Sequence, residues 1–238
     1  MSAEEALARL RAVAVPVTET ESVPLAACLG RNLAEDVIAG RSVPPHDNSA
    51  VDGYAVYFDD LDADGETRLP VAGRVAAGHP LNGPAQRGTA VRIFTGAPIP
   101  DGAAGPDGVA GPDGAAGPDT VLMQEDCRAE EHNGQTHVVI PAGISRGANR
   151  RDEGEDVARG QVILRAGQRL RPQDIGLAAS IGRADFSVYE KLTVGVLSTG
   201  DEVYEPGAAA PAGGIYDANR HALTALLLDG LGALPGAR

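Results

Sequence analysis

Two short segments place carboxylates, hydroxyls and backbone amides where a charged ligand could be held. The first is Asp47-Asn48-Ser49-Ala50-Val51-Asp52-Gly53-Tyr54. Pro44 and Pro45 fix an extended approach, a polar Asp-Asn-Ser turn follows, and Asp52 then stands directly before an apolar run that reads as a strand. A carboxylate at a strand mouth is well placed to meet a polar ligand, although the same residues also spell an Asx-turn closing a hairpin. The second segment is Ser198-Thr199-Gly200-Asp201-Glu202, a polar loop after the apolar run Leu192–Leu197. Ser198, Thr199 and the amide of Gly200 can donate to phosphate, and the adjacent carboxylates of Asp201 and Glu202 can hold Mg²⁺ through oxygen or water. The competing reading is an ordinary helix N-cap cluster.

Three weaker features carry related chemistry. Thr95 precedes Gly96-Ala97-Pro98, where its hydroxyl either holds a phosphate or closes a turn. Arg150-Arg151 runs into Asp156 through a loop dense in both charges. Such a run is ordinarily a solvated ion-pair loop, but arginine forks also suit oxyanions. Asp217 and Asn219 stand at a helix start, where capping is their first role.

The elements that must position these groups follow from periodicity and turn residues. Ser2 and Glu5 form a capping-box pattern, Leu7, Leu10 and Ala14 recur at helical spacing, and Pro16 ends the helix. A short helix is expected over Leu25–Leu29 with Gly30 as its stop, then a strand over Asn32–Ile38. From Ala50 to Ile140 the pattern is strand and turn, with Val-rich runs at Tyr54–Phe58, Val71–Ala76, Ala90–Phe94, Val121–Arg128 and His137–Ile140. Asn133-Gly134 marks a tight hairpin. Strands are expected at Gln161–Leu164 and Arg169–Leu170, and a helix opened by Pro172 and closed by Gly182, with Ile175, Leu177, Ala178 and Ile181 inside. Leu192–Leu197 reads as a strand buried on both faces. A helix carrying Leu223, Leu226 and Leu227 follows Asp217, stopped by Gly230. Strand, ligand-type loop and helix form the first unit of a parallel α/β sheet, whose ligands bind outside the strand carboxyl ends. The next parallel strand should begin where the sequence stops, so this unit is expected to be incomplete.

Glycine recurs every third residue across Gly102–Asp119, in six Gly-X-Y triplets. That is the collagen period, but six triplets that return at both ends to one β domain read as an internal repeat expansion forming a solvated, mobile loop.

Composition narrows the function classes. The 238 residues carry a formal charge of −13, which disfavours attraction to nucleic acid or anionic membrane. Only 3% are aromatic and none is Trp, so cores must be aliphatic. Cys28 and Cys127 form no CxxC and the five histidines make no zinc spacing, consistent with a reduced, cytoplasmic protein. The acidic start lacks the apolar segment of a signal peptide, and no run is long enough to span a bilayer.

Five motifs in one order resemble the molybdopterin molybdenumtransferases, a family that includes the enzymatic domain of gephyrin. They are Asp47–Tyr54, Thr95–Pro98, Arg150–Asp156, Ser198–Glu202 and Ile215-Tyr216-Asp217-Ala218-Asn219-Arg220. The resemblance implies insertion of molybdate into adenylylated molybdopterin with release of AMP, assisted by a divalent cation such as Mg²⁺. It implies Asp52, Asp156 and Glu202 as catalytic residues. Thr95, Ser198, Thr199, Gly200, Asp201, Asp217 and Asn219 would contact substrate, and Asp201 and Glu202 the metal. It implies a homodimer in which Asp52 and Thr95 face Ser198–Glu202 of the other subunit. The fold expected is a multidomain α+β protein. An α/β N-terminal and linker domain would cover 1–45 and 141–187, and an inserted β domain 46–140. The opening unit of a molybdopterin-binding-like α/β domain would cover 188–238. Two departures stand out. Asp152-Glu153 adds one residue before Gly154 relative to the family pattern, and the family's Gly-Gly-Val-Ser loop, molybdate-binding lysine-and-proline loop and C-terminal β domain are missing, which suggests truncation. A non-catalytic scaffold of the gephyrin type, or an inactive gene fragment, is the alternative.

Overall fold

The computed structural model describes residues 1–102 and 117–228, together with the backbone at Leu234–Pro235. Residues 103–116 of the expected mobile loop Gly102–Asp119, and the stop at Gly230, lie outside the described residues. The chain divides into two compact units, Ala39–Gln161 and Met1–Ile38 with Val162–Arg238. These divisions group 39–45 and 141–161 with the sheet, where the resemblance implies an inserted domain of 46–140.

The Ala39–Gln161 unit is built on a six-stranded sheet. Its order is Thr120–Met123, Gly53–Val56, Ala90–Ile93, Thr67–Val75, Gln135–Ile140 and Arg128–His132. All neighbours are antiparallel except Thr67–Val75 and Ala90–Ile93, which run parallel. Strand side chains alternate between faces, and here both faces are buried. Tyr54 and Val56 pack with Leu69, Leu122, Val138 and Ile140, while Ala55 and Tyr57 pack with Val75, Val91, Ile93 and Val121. Each fully buried Val or Ile contributes about 1.5–3 kcal/mol, which is how a chain nearly without aromatics assembles this core.

The two edge strands are joined through a turn. The expected single strand Val121–Arg128 is broken by a 3₁₀ turn at Gln124–Asp126, held where the Gln124 amide donates to Asp52 O at 3.0 Å. Five residue steps between Met123 and Arg128 reach at most about 18 Å. A flat sheet of six strands would set its edges about 24 Å apart, so this sheet must coil. A second 3₁₀ turn, Phe58–Asp60, ends the strand Gly53–Val56 early because Asp119 Oδ1 accepts from the Phe58 amide at 2.8 Å. The hairpin at Asn133-Gly134 forms as expected, with φ of 53° and 76° and His132 paired to Gln135.

In the other unit the capping box at Ser2 forms in both directions and opens a helix over Ala3–Val13, none of whose residues is buried. The expected helix at Leu25–Leu29 is a single 3₁₀ turn, Leu25–Ala27, capped at Cys28, and Gly30 follows with φ 74°. The strand expected over Asn32–Ile38 shortens to Val37–Ile38, paired with Val162–Leu164, plus isolated bridges from Asn32 to Arg169 and Leu33 to Val188. Thr20–Pro24 pairs with Asp185–Tyr189. Pro172 opens the helix Pro172–Ser180, which ends at Ile181 before Gly182 with φ 79°. The apolar run Leu192–Leu197 departs most from expectation. Among the described residues only Thr193–Val194 of this run is strand, parallel to Leu234–Pro235, and Leu192 and Leu197 are exposed. A second parallel pair, Val203–Tyr204 with Ile215–Tyr216, leads into the helix Ala218–Leu226. No described helix is long and apolar enough to cross a membrane.

Both cysteines are free. Burial, reinforced by Asp126, pushes the Cys127 thiol up to about 11. Alkylation at pH 8 is therefore expected to be about a hundredfold slower at Cys127 than at an ordinary cysteine thiol. Timed iodoacetamide labelling read by mass spectrometry checks this, and a rate matching the free thiol would refute it.

Candidate functional site

Three of the five motifs converge within the sheet unit. The chain enters the first through a cis Val43–Pro44 bond. Arg150 pairs antiparallel with Ser49, and Arg151 with Asn48. The first motif's neighbour on the other side is Thr95–Pro98. Gly96 donates to Ser49 O at 2.8 Å, and the Ser49 and Ile99 amides donate to Ala97 O and Asp47 O at 3.0 and 2.8 Å. Segments far apart in sequence thus become one layered loop cluster at the mouth of the sheet.

Asp52 and Thr95 meet there directly. The Thr95 amide and hydroxyl both donate to Asp52 Oδ1, each at 2.8 Å. Its other carboxylate oxygen makes no hydrogen bond among the described residues. The Thr95 amide above all, then its hydroxyl and the charge of Arg92, hold Asp52 below the ordinary aspartate range. With its proton given to Asp52, Thr95 can donate to a phosphate only by releasing that bond. The stability this carboxylate contributes is fully present above the ordinary aspartate pKa and is lost as pH falls through the depressed value. NMR titration of the Asp52 carboxyl carbon is expected to show a midpoint below the ordinary value that moves upward in Thr95→Val. An ordinary midpoint in the wild-type chain would refute the assignment.

Sequence reasoning gave no individual role to two residues of this cluster. Arg92 donates to Gly53 O at 2.8 Å and to the Gln124 side chain, and its guanidinium lies over Phe94 at 4.6 Å and Tyr54 at 5.1 Å. A lone arginine within the alternating run Ala90–Phe94 was the available signal. Asp47 accepts from Arg150 at 2.6 Å and from the Glu153 amide at 2.8 Å. The Arg150 Nε is buried, lies 3.1 Å from Asp152 Oδ1, and makes no hydrogen bond. Arg151 pairs with Asp156 at 2.8 Å and Glu155 at 3.3 Å. Asp156 and both arginines are thus engaged in the ion-pair arrangement, and a ligand would have to compete for those forks.

The last two motifs converge in the other unit. Ser198, Gly200, Tyr204, Asp217 and Arg220 are among the residues lining a cavity of about 380 Å³. Asp217 is buried and caps the Ala218–Leu226 helix by accepting from the Arg220 amide at 2.9 Å. Its Oδ2 accepts from Arg220 Nε at 2.9 Å, and Arg220 also pairs with Glu205. The Arg220 amide, the Ser198 hydroxyl and then the Arg220 guanidinium lower the Asp217 pKa. Capping and cavity lining therefore coincide in one side chain. Arg220, three residues after the cap, was legible as an i,i+3 partner but was not selected. Asp201, Glu202, Thr199 and Asn219 are exposed. Asp201 and Glu202 have no hydrogen bond or ion pair from their side chains among the described residues. Among those residues no group of three or more His, Cys, Asp or Glu is placed to hold a metal ion.

A coiled sheet inserted within a mixed α/β host, with motif loops on each, defines a multidomain α+β protein. The chain belongs to the MoeA N-terminal region family (domains I and II), whose family model matches residues 1–182. It is 40% identical over 210 residues to a molybdopterin molybdenumtransferase of Haemophilus influenzae, covering 88% of this chain and 47% of that protein. It is 35% identical over 211 residues to molybdopterin molybdenumtransferase 2 of Mycobacterium tuberculosis, covering 87% and 47%. Among solved structures it resembles a molybdopterin biosynthesis MoeA protein of Pyrococcus horikoshii, with a TM-score of 0.80 and 31% identity over 99% of this chain and 60% of that one. The chain spans about half the length of the curated relatives it matches.

Proposed function

We propose that this chain acts in molybdenum cofactor synthesis, in the insertion of molybdate into adenylylated molybdopterin with release of AMP. The observation that carries the reading is the convergence of all five motifs into two loop clusters, one holding an ionised Asp52 and one forming a polar cavity beside a helix start. In this reading Asp52 orients substrate or metal, with Thr95 fixing the carboxylate. Ser198, Thr199 and the Gly200 amide donate to phosphate oxygens, and Asp217 and Asn219 lie by the nucleotide. Asp156 keeps Arg151 in place until an anion displaces it.

The donor set at Asp201 and Glu202 fits a largely hydrated Mg²⁺. Two exposed, uncommitted carboxylates supply two oxygens, and water and substrate phosphate complete the shell. When bound, the ion would neutralise charge on the phosphate oxygens. The homodimer, the cytoplasmic setting and a separate domain at 188–238 belong to the same proposal. The resemblance puts the molybdate loops in the half of the relatives that this chain does not span.

The test is AMP release from adenylylated molybdopterin with Mg²⁺ and molybdate. It is run on this chain alone and with a polypeptide covering the remaining half of the Haemophilus influenzae relative. AMP release in either condition supports the reading, and its absence in both sinks it.

A further inference from the structure

A cavity of about 980 Å³ opens in the unit formed by Met1–Ile38 and Val162–Arg238. Its size is at the upper end of the range of small-molecule sites, roughly 300–1,000 Å³. None of its lining residues belongs to the five motifs. Leu29, Leu192 and Leu228 supply apolar wall, and Arg31, Arg169 and Lys191 supply three cations. One anionic side chain, Glu190, also lines it. Lys191 is the single lysine among the 20 Lys and Arg residues of the sequence.

The three cations are not equally committed. Arg31 is buried and fixed, donating to Tyr189 O at 2.8 Å and pairing with Glu21. Arg169 donates through Nε to Gly30 O at 3.2 Å, and its two terminal nitrogens have no hydrogen-bond partner among the described residues. Lys191 has no hydrogen bond or ion pair among them. Two glycines with φ of +74° and +81°, Gly30 and Gly167, line the same cavity without side chains. In a protein with formal charge −13, two uncommitted cations beside exposed leucines form a local exception. We infer that this cavity binds a small organic phosphate, its oxyanion held by Arg169 and Lys191 and its apolar ring against Leu29, Leu192 and Leu228.

The uniqueness of Lys191 supplies the probe. Pyridoxal 5′-phosphate and pyridoxal each condense their aldehyde with an amine, losing water to give an imine that borohydride traps. The chain has two primary amines, Lys191 and the α-amino group, so their labelling ratio cancels the intrinsic reactivity of each reagent. Peptide mapping should show that ratio about tenfold higher for the phosphorylated reagent, the worth of one charge-assisted hydrogen-bonded pair. Arg169→Gln should remove the enhancement and Arg169→Lys should retain most of it. Phenyl phosphate should protect Lys191 at lower concentration than inorganic phosphate. Equal ratios for the two reagents would overturn the inference, as would an enhancement indifferent to Arg169→Gln. Equal protection by phenyl phosphate and inorganic phosphate would overturn it as well, because the leucine wall would then bind nothing.

Discussion

Gly53→Ala is expected to unfold the sheet unit under conditions where the wild-type chain is fully native. Gly53 opens the second strand of the sheet, paired to Ile93 on one side and Met123 on the other. A Cβ at this position would lie 1.7 Å from Leu122 O and 2.8 Å from the Leu122 carbonyl carbon. Both are backbone atoms in the neighbouring strand, so relief must come from moving a strand and breaking ladder pairs from Gly53↔Met123 onward. Overpacking in a core commonly costs about 1–3 kcal/mol through side-chain shifts, and a backbone collision should exceed that, at about 4 kcal/mol or more. Against a total stability of about 5–15 kcal/mol for a typical domain, this removes at least about a quarter of the margin and, at the lower end, most of it. Gly40→Ala is the control, because a Cβ there meets nothing within 4 Å. It should change stability by less than about 0.5 kcal/mol. Urea unfolding followed by circular dichroism compares the two, and a native-like midpoint for Gly53→Ala would refute the argument. The glycine of this motif is therefore demanded by strand packing, whatever ligand the neighbouring Asp52 meets.

Asp52→Asn is expected to lower AMP release about a hundredfold while leaving the fold intact. Asparagine keeps an oxygen that can accept both Thr95 bonds, so the loop geometry survives and only the charge is lost. Positioned charged groups at reacting centres are commonly worth about 10²-fold or more in rate. Thr95→Val makes the complementary change, keeping the charge but removing the hydroxyl donor, and should cost about tenfold through looser orientation. The assay uses the chain with the relatives' remaining half supplied, and melting curves confirm that both variants are folded. Equal activity of Asp52→Asn and wild type would remove Asp52 from the proposed machinery. Equal losses in the two variants would point to loop geometry, not charge.

The sequence was most readable where one local rule decides the outcome. The Ser2 capping box, Pro172 at the first turn of its helix and the Asn133-Gly134 hairpin all formed as expected, because each is fixed by neighbours within four residues. Strand runs were found but not their ends, since the turns at Phe58–Asp60 and Gln124–Asp126 are set by Asp119 and Asp52, groups that no local window includes. The run Leu192–Leu197 was over-read, because an apolar sequence reports the wish to be buried and not the presence of partners. At the candidate site the residue types were legible but not their pairing. Asp52 and Thr95 were selected separately, yet the bond between them crosses the sheet mouth. Arg92 was passed over, and Asp47 was read only as part of a turn, because their importance lies in what the fold brings to them.

The ends of the inserted segment have a consequence for assembly. Ala39 donates to Gln161 O at 2.8 Å and Gly160 donates back to Ala39 O at 2.8 Å, so the sheet unit begins and ends at one backbone clasp. Just outside it, Val37–Ile38 pairs with Val162–Leu164. Closing a long loop costs entropy that grows with the logarithm of its length. Once the inserted unit has folded, its clasp has already brought the two host strands together, and the host closes what is in effect a hairpin. The insertion thereby acts as a template for the pairing of the strands that flank it.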